Sequence, residues 1–148
     1  MIIAVDFDGT CVTHEYPKVG KEIGASHVLK ILVEEGHRIV LNTMRGKDEG
    51  TVLKDAVKWF DKHGIPLYGV NESPSQKAWS SSPKVYAHLY IDDAALGCPL
   101  VDRGVKSPFV DWLEVYRMLL NRNVIMKHDI SKDVMDSIEE EVEAVMPL

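Results

Sequence analysis

Apolar positions along the chain fall into short continuous runs that alternate with stretches of helical spacing. Residues 1–7 are apolar and β-branched until they meet their acids, which predicts a buried strand at the centre of a parallel sheet. Gly9 ends it. Residues 11–24, with Pro17, Gly20 and Gly24, predict a loop or small hairpin. In 25–36, Val28, Leu29, Leu32 and Val33 recur at helical spacing, and Gly36 is a natural stop. Residues 37–43 form the second predicted strand around Ile39, Val40 and Leu41. Residues 47–63 form the second helix, with Val52, Leu53, Ala56, Val57 and Phe60 on one face. A third strand is expected over 65–70, a Ser- and Pro-rich loop over 71–83 with one helical turn near 76–80, and a fourth strand over 85–91. After a loop at 94–107, a third helix is expected over 108–120, with Pro108 in its first turn. A fourth, acidic and amphipathic, is expected over 131–146, with Ser131 as its N-cap.

The order β-α-β-α-β-β-α-α implies an α/β domain, a parallel sheet flanked by helices and joined by right-handed crossovers. The length of 148 residues suits one domain with its own core. A net charge of −6 argues against a protein that tracks nucleic-acid backbone. It leaves room for a small phosphorylated substrate, because one metal ion can reverse the local field. The two cysteines, Cys11 and Cys98, read as reduced thiols of a cytosolic protein. No leading basic-then-apolar segment and no run near the ~20 residues of a membrane span appears, so a cytoplasmic protein is expected.

In open parallel sheets, ligands bind at the carboxyl ends of strands. The first strand ends in Asp6-Phe7-Asp8-Gly9-Thr10, and spacing of two puts both carboxylates on one side of an extended chain. Two neighbouring acids need a cation or a proton if buried; the competing reading is a turn capped before Gly9. The second strand ends near Thr43, whose hydroxyl can donate to a phosphate oxygen, though threonine is also a favoured strand residue. The fourth ends in Asp92-Asp93. Two acidic pairs at one sheet edge make a hard, oxygen-lined site of the kind magnesium prefers. A positive charge is needed beside so many carboxylates. If 84–92 were all strand, Lys84 would start ~26 Å from Asp92. A turn near 82–85 must shorten that path, or Lys77 serves instead; the competing reading for each lysine is a solvated surface residue, and for Lys77 it is the favoured one.

These elements resemble the haloacid dehalogenase (HAD) superfamily of phosphatases. Asp6-Phe7-Asp8-Gly9-Thr10 matches its DxDGT motif, Thr43 its second motif, Lys84 its lysine, and Tyr90-Ile91-Asp92-Asp93 its acidic fourth motif. The resemblance implies a HAD-like Rossmannoid core over 1–122 and a C-terminal helical extension over 123–148, packed on the core or on a partner. The segments 11–24 and 71–83 are too short for a cap domain, so an open site is implied. Such a site admits phosphorylated small molecules or polymers, or is closed by a second copy in a homo-oligomer.

The implied activity is hydrolysis of phosphate monoesters through an aspartyl-phosphate on Asp6. Mg2+ would be held by Asp6, the Asp8 main-chain carbonyl, Asp92 and Asp93. Thr43, Lys84, Gly9 and Thr10 would join Asp6 in holding the phosphoryl group. Asp8 would be the general acid and base, held protonated by acidic neighbours and partial burial. Alternatives are a non-catalytic or regulatory protein of the same fold and a phospho-acceptor domain resembling response-regulator receivers. The latter needs an acid at the end of the third strand, where this chain has Gly69-Val70-Asn71. Arg45 reads as a solvated loop residue or a contact for a substrate anion, Cys11 as a packing residue. The six histidines lack metal-ligand spacing, and Trp59, Trp79 and Trp112 read as packing residues, with Trp79 near the expected mouth.

Overall fold

The computed structural model describes residues 1–126 and 131–147. Four parallel strands, β1 (Ile2–Val5), β2 (Arg38–Leu41), β3 (Leu67–Val70) and β4 (Leu89–Ile91), form one sheet in the order β3-β2-β1-β4. Helices α1 (Ala25–Glu34) and α2 (Val52–Lys62) carry the first two crossovers. A hairpin of β5 (Leu100–Val101) and β6 (Phe109–Val110) follows, then α3 (Trp112–Asn121) and α4 (Lys132–Val145). This is an α/β fold of Rossmann-like type. No described helix is long and apolar enough to cross a membrane.

Strand alternation divides the core. Ile3, Val5, Ile39 and Leu41 face the helices and share one cluster with Leu29, Phe60 and Trp112. Ile2, Ala4 and Val40 face the other way, onto Val85 and Ala87. The chain steps from β1 to β2 to β3 in one direction, so α1 and α2 lie on one face; the return to β4 runs over the opposite face. That return holds one 3-10 turn (Pro74–Ala78) and no inserted domain.

Three elements differ from their sequence expectations. The fourth strand is only Leu89–Ile91. The Gln76 side chain captures the carbonyls of Ser82 and Lys84 (3.1 and 2.7 Å) and the N–H of Tyr86 (2.9 Å), groups a ladder would otherwise use. Helix α2 begins at Val52 rather than near 47, after Gly50 adopts φ +66°. Pro108 precedes β6 instead of opening a helix; Asp111 caps α3, accepting from the Glu114 N–H at 3.1 Å.

Ser131 caps α4 as expected, its Oγ accepting from the Val134 N–H. The helix packs on α1 and α3, with Ile138 fully buried against Gly24. Gly24 has φ +95° and no side chain to cap α1; Glu141 of α4 does so, accepting from the Gly24 N–H at 2.6 Å and pairing with His27 at 2.8 Å. Burial acts to raise the Glu141 carboxyl, but His27 and the Gly24 N–H outweigh it and hold the group below its ordinary value of 4.5.

A lowered carboxylate stabilises the fold above its unfolded pKa and loses that contribution as pH falls through its folded one. Glu141→Ala is expected to cost about 1–2 kcal/mol in urea unfolding at neutral pH. The gap to wild type should narrow as the pH is taken below 4.5; a gap that is constant with pH would assign the loss to packing alone.

Candidate active site

The strand order reverses beside β1: β2 lies on one side of it and β4 on the other. At such a switch point the crevice past the strand ends is open to a ligand. Asp6 and Asp8 follow β1, Thr43 follows β2, and Asp92 and Asp93 follow β4. All five line one cleft of about 520 Å³, together with His14, Tyr16, Met44, Arg45 and Glu49.

The loop after β1 is fixed from several sides. The Asp6 N–H bonds the Ile91 carbonyl at 3.0 Å, the Cys11 thiol the Asp6 carbonyl at 3.2 Å, and the Trp112 indole the Thr10 carbonyl at 2.6 Å. Val110 of the hairpin donates to the Gly9 carbonyl at 2.9 Å. Gly9 has φ +77°, and a Cβ there would lie 2.6 Å from Asp93 Oδ2, so only glycine lets this loop approach β4's acids.

Carboxylate oxygens of Asp6, Asp92 and Asp93 lie within 4.8 Å of one another. The buried Thr10 hydroxyl sits between Asp6 Oδ2 (3.0 Å) and Asp93 Oδ1 (3.1 Å) and accepts from the Asp93 N–H at 3.0 Å. Its single proton can serve one carboxylate at a time. Burial above all, then the Asp93 side chain and the charge of Asp92, push the Asp6 carboxyl up to about 7. The cluster is short of positive charge, and its donors are all hard oxygens. A divalent cation of the magnesium type fits such a set.

Asp8 was expected among acidic neighbours that hold its proton; its side chain instead meets a guanidinium. Arg45 grips it in a bidentate pair, Nε to Oδ2 at 2.8 Å and Nη2 to Oδ1 at 2.7 Å. The guanidinium is 1% exposed and its remaining N–H groups reach the carbonyls of Val52 (2.8 Å), Lys18 (2.8 Å) and Pro17 (3.4 Å). It lies over the Phe7 and Tyr16 rings, with centroids 4.9 and 5.3 Å from Cζ. Arg45 is thus neither solvated nor free to take a substrate anion. A hint of it lay in the charge balance of the site, which demanded a cation; its burial depended on loops that the sequence does not place. His14, Tyr16, Met44 and Glu49 gave no local signal.

Thr43 is set by Asn71, whose side chain accepts the Thr43 N–H at 2.8 Å. Its Oγ1 accepts from the Arg45 N–H at 3.1 Å, which leaves its own proton free to donate. Lys84 is not brought to the cleft. Its Nζ lies 5.6 Å from the Tyr90 ring centroid, and Tyr90, paired in register with Ala4, holds the Val85 carbonyl over the sheet face opposite the helices. Lys77 is exposed and pairs with Glu72 at 3.5 Å. Trp79 stacks edge-on against Tyr86 beside Lys84, away from the mouth. Cys11 is fully buried, and burial pushes its thiol well up.

No protein-family model matches the chain, and no curated protein matches it. Among solved structures, a conserved protein from Bacteroides thetaiotaomicron is 36% identical, aligns over 82% of this chain and 91% of its own, and superposes with a TM-score of 0.65. The chain belongs to the same family as that protein.

Removing one member of a buried ion pair strands the other. Arg45→Ala is expected to destabilise the protein by about 3 kcal/mol in denaturant unfolding. Arg45→Lys should recover little of it, because an ammonium cannot make the bidentate pair. Stability within about 0.5 kcal/mol of wild type for both, the range of an ordinary surface substitution, would contradict the central role given to this side chain.

Proposed function

We propose that this member of the Bacteroides protein's family is a magnesium-dependent phosphate monoester hydrolase of the HAD type, with Asp6 as nucleophile. The observation that carries the reading is the meeting of Asp6 and Asp8 from β1 with Asp92 and Asp93 from β4 at the switch point of the sheet. Asp6, Asp92 and Asp93 would hold the magnesium, which would supply the positive charge that lets a phosphoryl dianion approach so many carboxylates.

An Asp6 carboxylate oxygen attacks phosphorus, the ester P–O bond breaks, and the phosphoryl group is carried on Asp6. Asp8 gives a proton to the departing alcohol oxygen and takes one back from the water that cleaves the acyl phosphate. Arg45 holds Asp8 by one lone pair on each oxygen, which fixes the carboxyl plane and leaves outer lone pairs for the proton. The free Thr43 proton serves an equatorial phosphoryl oxygen, where charge builds as the bond breaks. With Lys84 and Lys77 elsewhere, and with the Gly9 and Thr10 N–H groups spent on the Val12 (2.9 Å) and Phe7 (3.1 Å) carbonyls, the phosphate contact falls to Thr43 rather than to the expected Lys84, Gly9 and Thr10. A receiver-like role finds no support at β3, where Asn71 spends its side chain on Thr43.

Asp6→Asn is expected to lower turnover of p-nitrophenyl phosphate by about three orders of magnitude or more while the protein stays folded. EDTA should abolish wild-type turnover and magnesium restore it. Asp8→Asn should lose alkyl phosphates more than the aryl ester, whose leaving group needs no proton. Lys84→Ala should leave kcat/KM within roughly twofold. Asp6→Asn with near wild-type activity would sink the mechanism, and a severe loss in Lys84→Ala would return that lysine to the cleft.

A further inference from the structure

A second depression, of about 620 Å³, adjoins the acidic cleft. The two share a wall made of His14 and Tyr16. Tyr16 is held in place by Glu49 at 3.2 Å and by the Arg45 guanidinium beneath its ring. The far side of the depression comes from the connection between β5 and β6, which carries Lys106, and from the end of α4 at Val145 and Pro147. Lys21 lines it from the loop after β1, and its backbone is pinned to Thr13, N–H to Oγ1 at 2.8 Å and carbonyl to N–H at 3.0 Å.

Charge divides sharply between the two hollows. The cleft holds Asp6, Asp8, Glu49, Asp92 and Asp93 against Arg45, which is spent on Asp8. The neighbouring depression holds Lys21 and Lys106 against Glu15, which is engaged by the Thr13 hydroxyl at 2.7 Å. Among the described residues neither lysine has an ion-pair partner.

We propose that this depression is a subsite for a second anionic group of the substrate, so that the protein acts on small phosphate monoesters whose alcohol portion carries a carboxylate or a second phosphate. The idea rests on the phosphatase reading above. Its physical content is separation of charge: the transferred phosphoryl group lies over the acids, and the distal anion crosses the His14–Tyr16 wall to the two lysines. A neutral alcohol gains nothing from the lysines, and a cationic one is repelled by them.

The test compares kcat/KM for phosphoglycerol, phosphoglycerate, a hexose bisphosphate and phosphocholine, with p-nitrophenyl phosphate as reference. Wild type should favour the carboxylate-bearing or bisphosphate ester over phosphoglycerol by about tenfold, and the arm that gains more identifies the distal group. The exposed double variant Lys21→Ala/Lys106→Ala should erase that gain through KM while p-nitrophenyl phosphate is unaffected. Lys21→Glu/Lys106→Glu should turn the preference toward phosphocholine. Affinity of phosphoglycerate and of the hexose bisphosphate, read by titration calorimetry with magnesium, decides the same point without turnover; loss of about tenfold for the preferred ligand in the double variant supports the subsite. Equal affinity in both proteins, or a preference that survives the double variant, overturns it. Tight binding lost in the variant with no turnover of any ester would overturn the phosphatase reading and keep the subsite.

Discussion

Four carboxylates converge at one edge of a small sheet, and their mutual repulsion governs what surrounds them. Each is handled differently. Asp8 is neutralised by a guanidinium that makes two hydrogen bonds to it. Asp92 accepts the Ala94 N–H at 2.8 Å. Asp6 and Asp93 share the Thr10 hydroxyl, and burial leaves Asp6 reluctant to ionise. Charge is therefore compensated fully on one side of the cleft and incompletely on the other. That imbalance makes the Asp6 side receptive to a cation, while the Asp8 side is already a finished structural unit.

The finished unit reaches well beyond the site. Arg45 joins the end of β2 to the loop at Pro17 and Lys18 and to the first turn of α2. Two connections that would otherwise be independent surface loops, β1 to α1 and β2 to α2, are tied to one buried charge. The cleft wall made by Tyr16 follows from the same arrangement, since its ring lies over that guanidinium. Hence residues on the rim of the cleft inherit their positions from the group that pairs with Asp8.

Much of this was legible in the sequence where local pattern and chemistry coincide. The acids at 6, 8, 92 and 93 stand directly after β-branched or aromatic runs, so strand-end placement followed from period and composition. The spacing at Val28, Leu29 and Leu32 likewise gave α1 its buried face. What was not legible depended on contacts between distant segments. Residues 85–88 have a strand's composition, yet Gln76 takes the backbone groups of residues 82, 84 and 86, and Lys84 is carried onto the sheet face. Arg45 looks like any loop arginine until the segments at 17–18 and 52 close around it. Tertiary competition for hydrogen bonds decided both cases.

The cap that Glu141 places on α1 has a bearing on how the chain is made. Its acceptor lies 117 residues beyond the Gly24 N–H it satisfies. During synthesis α1 emerges with its first turn uncapped and the Gly24 surface bare, and both stay so until α4 has left the ribosome. The early strands can pair and α2 can fold while that corner waits for its counter-charge. A nascent chain arrested before α4 thus displays an unfinished helix end and an apolar notch, a surface of the kind that chaperones bind and the completed protein hides.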